Sequence, residues 1–121
     1  RIYTPGVPDK PTIYQLTRSY FPHLLRAGVK IYSYTPGFLH AKTWLVDDRI
    51  AAVGTVNLDY RSLYLHFENS VLIYGGAVLD DVRRDLAEIE KESAAVTLAD
   101  CRTGFFGTLY SAVLRLVAPL C

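Results

Sequence analysis

Several shortages narrow the class of this chain. Charge of one sign is missing: 13 Lys and Arg against 12 Asp and Glu leave a formal net charge of +1. A surface that close to neutral does not hold nucleic acid by bulk electrostatic attraction, so no nucleic-acid partner is expected. Cysteine is scarce. Cys101 and Cys121 could pair only with each other. Both lie in the last quarter of the chain, where a bridge would restrain little, so free thiols are expected and no redox compartment follows. No run of about 18 apolar residues occurs, so no segment reads as a membrane-spanning helix, and no signal-peptide pattern is present. No internal repeat is visible. Arg1 rather than methionine stands first, and we expect a segment of something longer.

What is present is apolar and aromatic material. Half of the 121 residues are hydrophobic, with nine tyrosines and five phenylalanines. That suffices for the core of one domain.

Local signals alternate strand and helix. Residues 1–4 read as the end of a strand and 5–9 as a loop rich in turn residues. A helix is expected over 11–27, with Pro11 in its first turn, Gly28 at its exit, and Tyr14, Tyr20, Leu24 and Leu25 on its buried side. Pro22 predicts a kink or two shorter helices. Residues 29–34 form a strand ended by Pro36 and Gly37. Residues 40–46 and 49–53 read as a hairpin turning at Asp47 and Asp48. Residues 54–62 read as a loop with a short helix, and 67–74 as a further strand closed by Gly75 and Gly76. Residues 77–93 form an amphipathic helix with Val78, Val82, Leu86 and Ile89 at helical spacing, its mixed charges facing solvent. The last segment, 104–120, is apolar with one arginine, Arg115. Strands alternating with helices predict an α/β fold.

The chemistry concentrates in LHAKTWLVDD, residues 39–48. On a strand, residues i and i+2 share a face, so His40 and Lys42 point one way and Asp47 falls on the other parity at the strand end. A lone histidine on a core strand is the plainest reading. A metal site fits poorly, because an ammonium on the same face repels a divalent ion and no second histidine or cysteine stands at ligand spacing. A phosphate site explains both residues at once. A neutral imidazole attacks phosphorus or carries a proton, and the lysine stabilises charge on the phosphoryl oxygens. Downstream, Thr55 and Asn57 add a hydroxyl and an amide able to donate to phosphate, and Gly54 allows close backbone approach. Glu68 supplies an acceptor to hold the second imidazole nitrogen of His40.

HAKTWLVD, residues 40–47, has the H-x-K-x4-D pattern of the phospholipase D superfamily, and GTVN, residues 54–57, resembles its G-S/T-x-N companion. The spacing to Glu68 also looks like the glutamate of that family. GVKIY, PGFLHAK, NLDYRS and FEN extend the resemblance to the second catalytic half of a bacterial cardiolipin synthase, well over residues 1–93 and weakly beyond. Two departures stand out: Pro22 where a helix former is expected, and His66 where asparagine is expected, on the strand parity of Glu68 and so able to adjust the site.

The resemblance implies a phospholipase D-like α/β fold, a mixed sheet flanked by helices, of which this chain is the second half only. Residues 1–95 would be the domain with one motif, incomplete at its N-terminus, and residues 96–121 an apolar tail. It implies two H-x-K motifs facing one phosphate. The other comes from a missing N-terminal half, with membrane-spanning helices upstream, or from a second copy of the chain. The first-half histidine would become phosphohistidine, and His40 would serve as general acid and base. Lys42 and Asn57 would bind phosphate with help from Thr55, Glu68 would orient His40, and Asp47 would complete the catalytic motif chiefly by holding the loop. The implied reaction is transphosphatidylation: one phosphatidylglycerol gives its phosphatidyl group to another, releasing glycerol. The implied setting is the bacterial cell membrane, and no metal or cofactor is implied. Two alternatives remain, a single-motif nuclease acting as a homodimer and a half-domain inert in isolation. Phe105, Phe106, Leu109, Val113, Leu114 and Val117 suit either an amphipathic helix on a membrane surface or packing against the missing half. His23 reads as a helix-surface histidine.

Overall fold

The computed structural model describes residues 1–116 and 118–120. Val117 and Cys121, and with Cys121 any pairing to Cys101, lie outside the described residues. Among the described residues two small three-stranded sheets and three α-helices, with a π-helical and a 3-10 turn, form a mixed α/β arrangement.

The first sheet forms around β2, Ile31–Tyr34. It pairs in parallel with β1, Ile2–Pro5, and antiparallel with β6, Ser93–Ala95. A parallel pair needs a crossover, and α1, Pro11–Arg26, supplies it. Ile31, 1% exposed, is the most deeply buried large side chain here. The helix runs through Pro22 as one element, so of the two outcomes expected the split into two helices does not occur. Its inward residues are Leu16, Ser19 and Phe21, while Tyr14, Tyr20, Leu24 and Leu25 are half-buried. Gly28, at φ +88°, provides the left-handed exit that glycine adopts without steric cost.

The second sheet is an antiparallel meander of β3, Lys42–Val46, β4, Ile50–Gly54, and β5, Ser70–Tyr74. Asp47 and Asp48, at φ 52° and 53°, link β3 to β4, and the Arg49 N–H donates to the Val46 carbonyl at 3.0 Å. Positive φ at both central residues is the two-residue hairpin whose twist matches its strands. Two strands begin later than the sequence suggests, β3 at Lys42 and β5 at Ser70, which leaves His40 and Glu68 in the segments leading into them. In a meander the start of β3, the end of β4 and the start of β5 lie at one end, and the register Lys42–Gly54–Ser70 shows it. His40, Thr55 and Glu68 are thereby gathered at that end.

Helix α2, Val78–Lys91, contacts β2 and β6 of one sheet and β4 of the other. Leu79 is its buried residue, with Val82, Leu86 and Ile89 half-buried; Val78, expected on the inner stripe, is exposed. Helix α3, Phe105–Leu116, lies along α1. Leu114 and Ala118 join Leu16 in a buried cluster against Tyr20. The Arg115 guanidinium donates to Ser19 Oγ at 3.1 Å and lies over the Tyr20 ring. The apolar end of the chain thus packs on α1 with one face, while Phe105, Phe106, Leu109 and Val113 stay exposed on the other. Among the described residues no helix is long and apolar enough to cross a membrane.

Candidate active site

At the gathered end of the meander lies a shallow depression of about 450 Å³, walled by His40, Lys42, Thr43, Gly54, Thr55 and Asn57. Four of the six residues singled out from the sequence, His40, Lys42, Thr55 and Asn57, therefore line one space. His40 is exposed, and its ring stacks on Phe38 at 5.2 Å between centroids. Lys42 is half-buried, and its ammonium donates to the His40 backbone carbonyl at 2.7 Å, which holds the charge at the rim.

Gly54 lies between β3 and β5, opposite Lys42 and Ser70. A Cβ there would collide with Ser70 Oγ and the Asn69 carbonyl, and would stand 2.5 Å from Ser70 Cα. The lack of a side chain lets the segments before β5 and after β4 close on each other. The Thr55 N–H donates to the Asn69 carbonyl at 3.0 Å, and the Asn69 N–H returns a bond to Thr55 Oγ1 at 3.0 Å.

The Thr55 hydroxyl donates to Glu68 Oε2 at 2.5 Å. This changes two expected roles. The single hydroxyl hydrogen of Thr55 is committed to the carboxylate, so in this arrangement it is not a donor to phosphate. Glu68 holds Thr55 rather than the imidazole of His40. The Glu68 side chain is 15% exposed, and the Thr55 bond, followed by the Ser62 hydroxyl, His66 and the Lys42 ammonium, holds its carboxyl below the usual carboxylate range against the opposing effect of burial. These contacts favour the ionised carboxylate, the Lys42 ammonium among them.

Asp47 is not brought to the depression. It lies five residue steps from Lys42, about 16 Å of extended chain, and it stands exposed at the opposite end of β3 in the hairpin turn. Its left-handed backbone gives it a structural role there.

Arg61 was not among the expected residues, and His66 was expected only to adjust the site. Arg61 begins a π-helical turn, Arg61–Leu65, preceded by Asp59, whose carboxylate accepts from the Ser62 N–H at 2.7 Å. Arg61 Nε donates to His66 Nε2 at 3.2 Å, and the other ring nitrogen of His66 lies 3.8 Å from Glu68 Oε1. His66 was visible as a departure at the right position, but it lies outside β5, so strand parity is not what turns it toward Glu68. Among the described residues no cluster of three or more His, Cys, Asp or Glu side chains could hold a metal ion.

A family model described as the phospholipase D-like domain of cardiolipin synthase matches residues 1–89. An uncharacterized protein of Streptococcus mutans is 49% identical over 121 residues, 99% of this chain and 26% of that protein. A cardiolipin synthase of Clostridium perfringens is 40% identical, again over 99% of this chain and 25% of its own length. One from Halalkalibacterium halodurans is 53% identical over 74 residues, 61% of this chain and 15% of that enzyme. The chain spans about a quarter of the first two relatives, and the matched family model runs through the strands and loops that carry the depression and its H-x-K motif. The chain belongs to the family of phospholipase D-like domains of cardiolipin synthase.

Proposed function

We propose that the depression at the start of β3 and the end of β4 is one half of a phosphatidyl-transfer site, acting on phosphatidylglycerol at a membrane surface. The observation that carries this reading is the convergence of His40, Lys42 and Asn57 on one open space, with Glu68 ionised behind them.

The second H-x-K motif comes from an upstream part of a longer chain or from a second copy. Its imidazole attacks phosphorus, forming the N–P bond of a phosphohistidine as the bond from phosphorus to the glycerol oxygen breaks. His40 gives a proton to that leaving oxygen. It then takes the proton of the acceptor hydroxyl of a second phosphatidylglycerol as that oxygen attacks phosphorus and the N–P bond breaks. Cardiolipin and glycerol result. The Lys42 ammonium and the Asn57 amide hold the non-bridging oxygens, where charge develops. Glu68 acts behind them, fixing Thr55 and offsetting the lysine charge. No metal takes part in this scheme.

The test uses the full-length protein. Wild type and His40→Ala are compared for conversion of phosphatidylglycerol into cardiolipin and glycerol, with circular dichroism confirming the fold. Removing a general acid and base should lower the rate by about 10²–10⁴-fold. Full activity in a folded His40→Ala would remove His40 from the mechanism. A wild type that forms no cardiolipin would redirect attention to other phosphodiesters, DNA first.

A further inference from the structure

The π-helical turn brings residues five apart into register: the His66 N–H donates to the Arg61 carbonyl at 2.8 Å, and the two side chains meet above it. Such turns occur mostly as single insertions and often at functional sites. Arg61 Nε and Nη2 lie 3.2 and 2.9 Å from the same ring nitrogen, His66 Nε2. A guanidinium has only donors and stays protonated. Nε2 is therefore the lone-pair nitrogen, and the proton of the neutral ring sits on Nδ1. Nδ1 is the nitrogen that faces Glu68 Oε1, at 3.8 Å. The other oxygen of that carboxylate takes the Thr55 hydroxyl, and Thr55 takes the Asn69 N–H. The donors thus converge on Glu68, from Arg61 through His66 on one side and from Asn69 through Thr55 in the wall of the depression on the other. The His66 side chain is 44% exposed, so core packing does not account for its placement.

We propose that His66 is a positioning residue: Arg61 fixes it in the tautomer protonated on Nδ1, and that N–H, aimed at Glu68, sets the carboxylate that holds Thr55 and the wall of the phosphate depression. This rests on the phosphatidyl-transfer reading of the depression. His66 touches no substrate; its effect reaches the reaction through Glu68 and Thr55.

The experiment has two arms on the full-length protein. With ¹⁵N-labelled histidine, the His66 ring signals are assigned by their disappearance in His66→Phe. The expected result is a protonated Nδ1 and a bare Nε2, with the Nδ1 signal moving in Glu68→Gln. A ring protonated on Nε2, or one indifferent to Glu68→Gln, overturns the proposal. In the second arm, His66→Phe keeps the ring bulk and loses the donor. It should lower kcat on phosphatidylglycerol by on the order of 10- to 100-fold and leave KM within about 2-fold. His66→Asn, whose amide nitrogen stands near the former Nδ1, should recover most of that loss. Equal loss in both variants, or loss in neither, overturns the proposal. If wild type turns over no phosphatidylglycerol, the tautomer arm still decides where His66 points, and the failure belongs to the lipid reading.

Discussion

Substituting Gly54→Ala should cost this protein both stability and its site. The added Cβ would stand 2.5 Å from Ser70 Cα and would also strike Ser70 Oγ and the Asn69 carbonyl. Carbon atoms rest comfortably at about 3.5–4.0 Å, so β4 and β5 must part by about 1 Å there. Two of the three obstacles are backbone atoms, so a rotamer change does not relieve the strain. Overpacking of this kind costs about 1–3 kcal/mol. The same displacement lengthens the 3.0 Å bond from the Thr55 N–H to the Asn69 carbonyl beyond hydrogen-bond range, losing about 1 kcal/mol more. A total near 3 kcal/mol should lower Tm by about 10 °C for a domain of this size. The assay is urea and thermal unfolding, with Gly37→Ala as the control. Gly37 has nothing within 4 Å of its would-be Cβ and no left-handed backbone, so that change should stabilise by a few tenths of a kcal/mol, up to about 1 kcal/mol. If Gly54→Ala matches Gly37→Ala to within about 0.5 kcal/mol, the close approach of β4 and β5 is wrong, and the placement of Thr55 against Glu68 falls with it.

Three further outcomes are expected. Thr55→Val removes the largest influence holding the Glu68 carboxyl low, so its titration midpoint, read by ¹³C NMR, should rise. A depressed carboxyl contributes stability that is present above its unfolded value and lost as pH falls through its folded value; the variant should therefore lose less stability on acidification, and an unmoved midpoint would contradict the Thr55 bond. Asp47→Asn should leave turnover within about 2-fold and stability within about 0.5 kcal/mol, because asparagine also accepts positive φ, whereas Asp47→Val should cost about 1–2 kcal/mol; a collapse of turnover in a folded Asp47→Asn would bring Asp47 into the chemistry. Leu114→Ala should cost about 2–4 kcal/mol through the cluster with Leu16 and Ala118, while Leu109→Ala, at a position 54% exposed, should stay within about 0.5 kcal/mol; equal costs would mean that α3 does not pack on α1 as described.

What the sequence determined by itself is what short-range physics controls. Period-two and period-3.6 patterns placed strands β1 to β5 and helices α1 and α2 to within a few residues, but gave no sign of the short strand β6. The Asp47–Asp48 dipeptide announced a hairpin, and Gly28, Gly75 and Gly76 marked exits that require positive φ. The spacing of His40 and Lys42 pointed to a phosphate, and both residues do line one depression with Thr55 and Asn57. Local patterns were less reliable where packing chooses among similar residues: Leu16 and Phe21 are buried on α1 where Tyr14 and Tyr20 were expected, and Pro22 is carried within a continuous helix. Only tertiary structure could decide the partners. Thr55 and Glu68 are 13 residues apart, and Arg115 and Ser19 are 96. Whether such groups meet depends on strand register and helix packing, which sum many weak contacts across the chain. The late starts of β3 and β5 moved His40 and Glu68 out of their strands, so strand parity could not say which way either side chain points. A one-residue change of register or strand boundary reassigns faces. Glu68 therefore found Thr55 instead of His40, and a π-helical turn, which no simple periodicity signals, set Arg61 against His66.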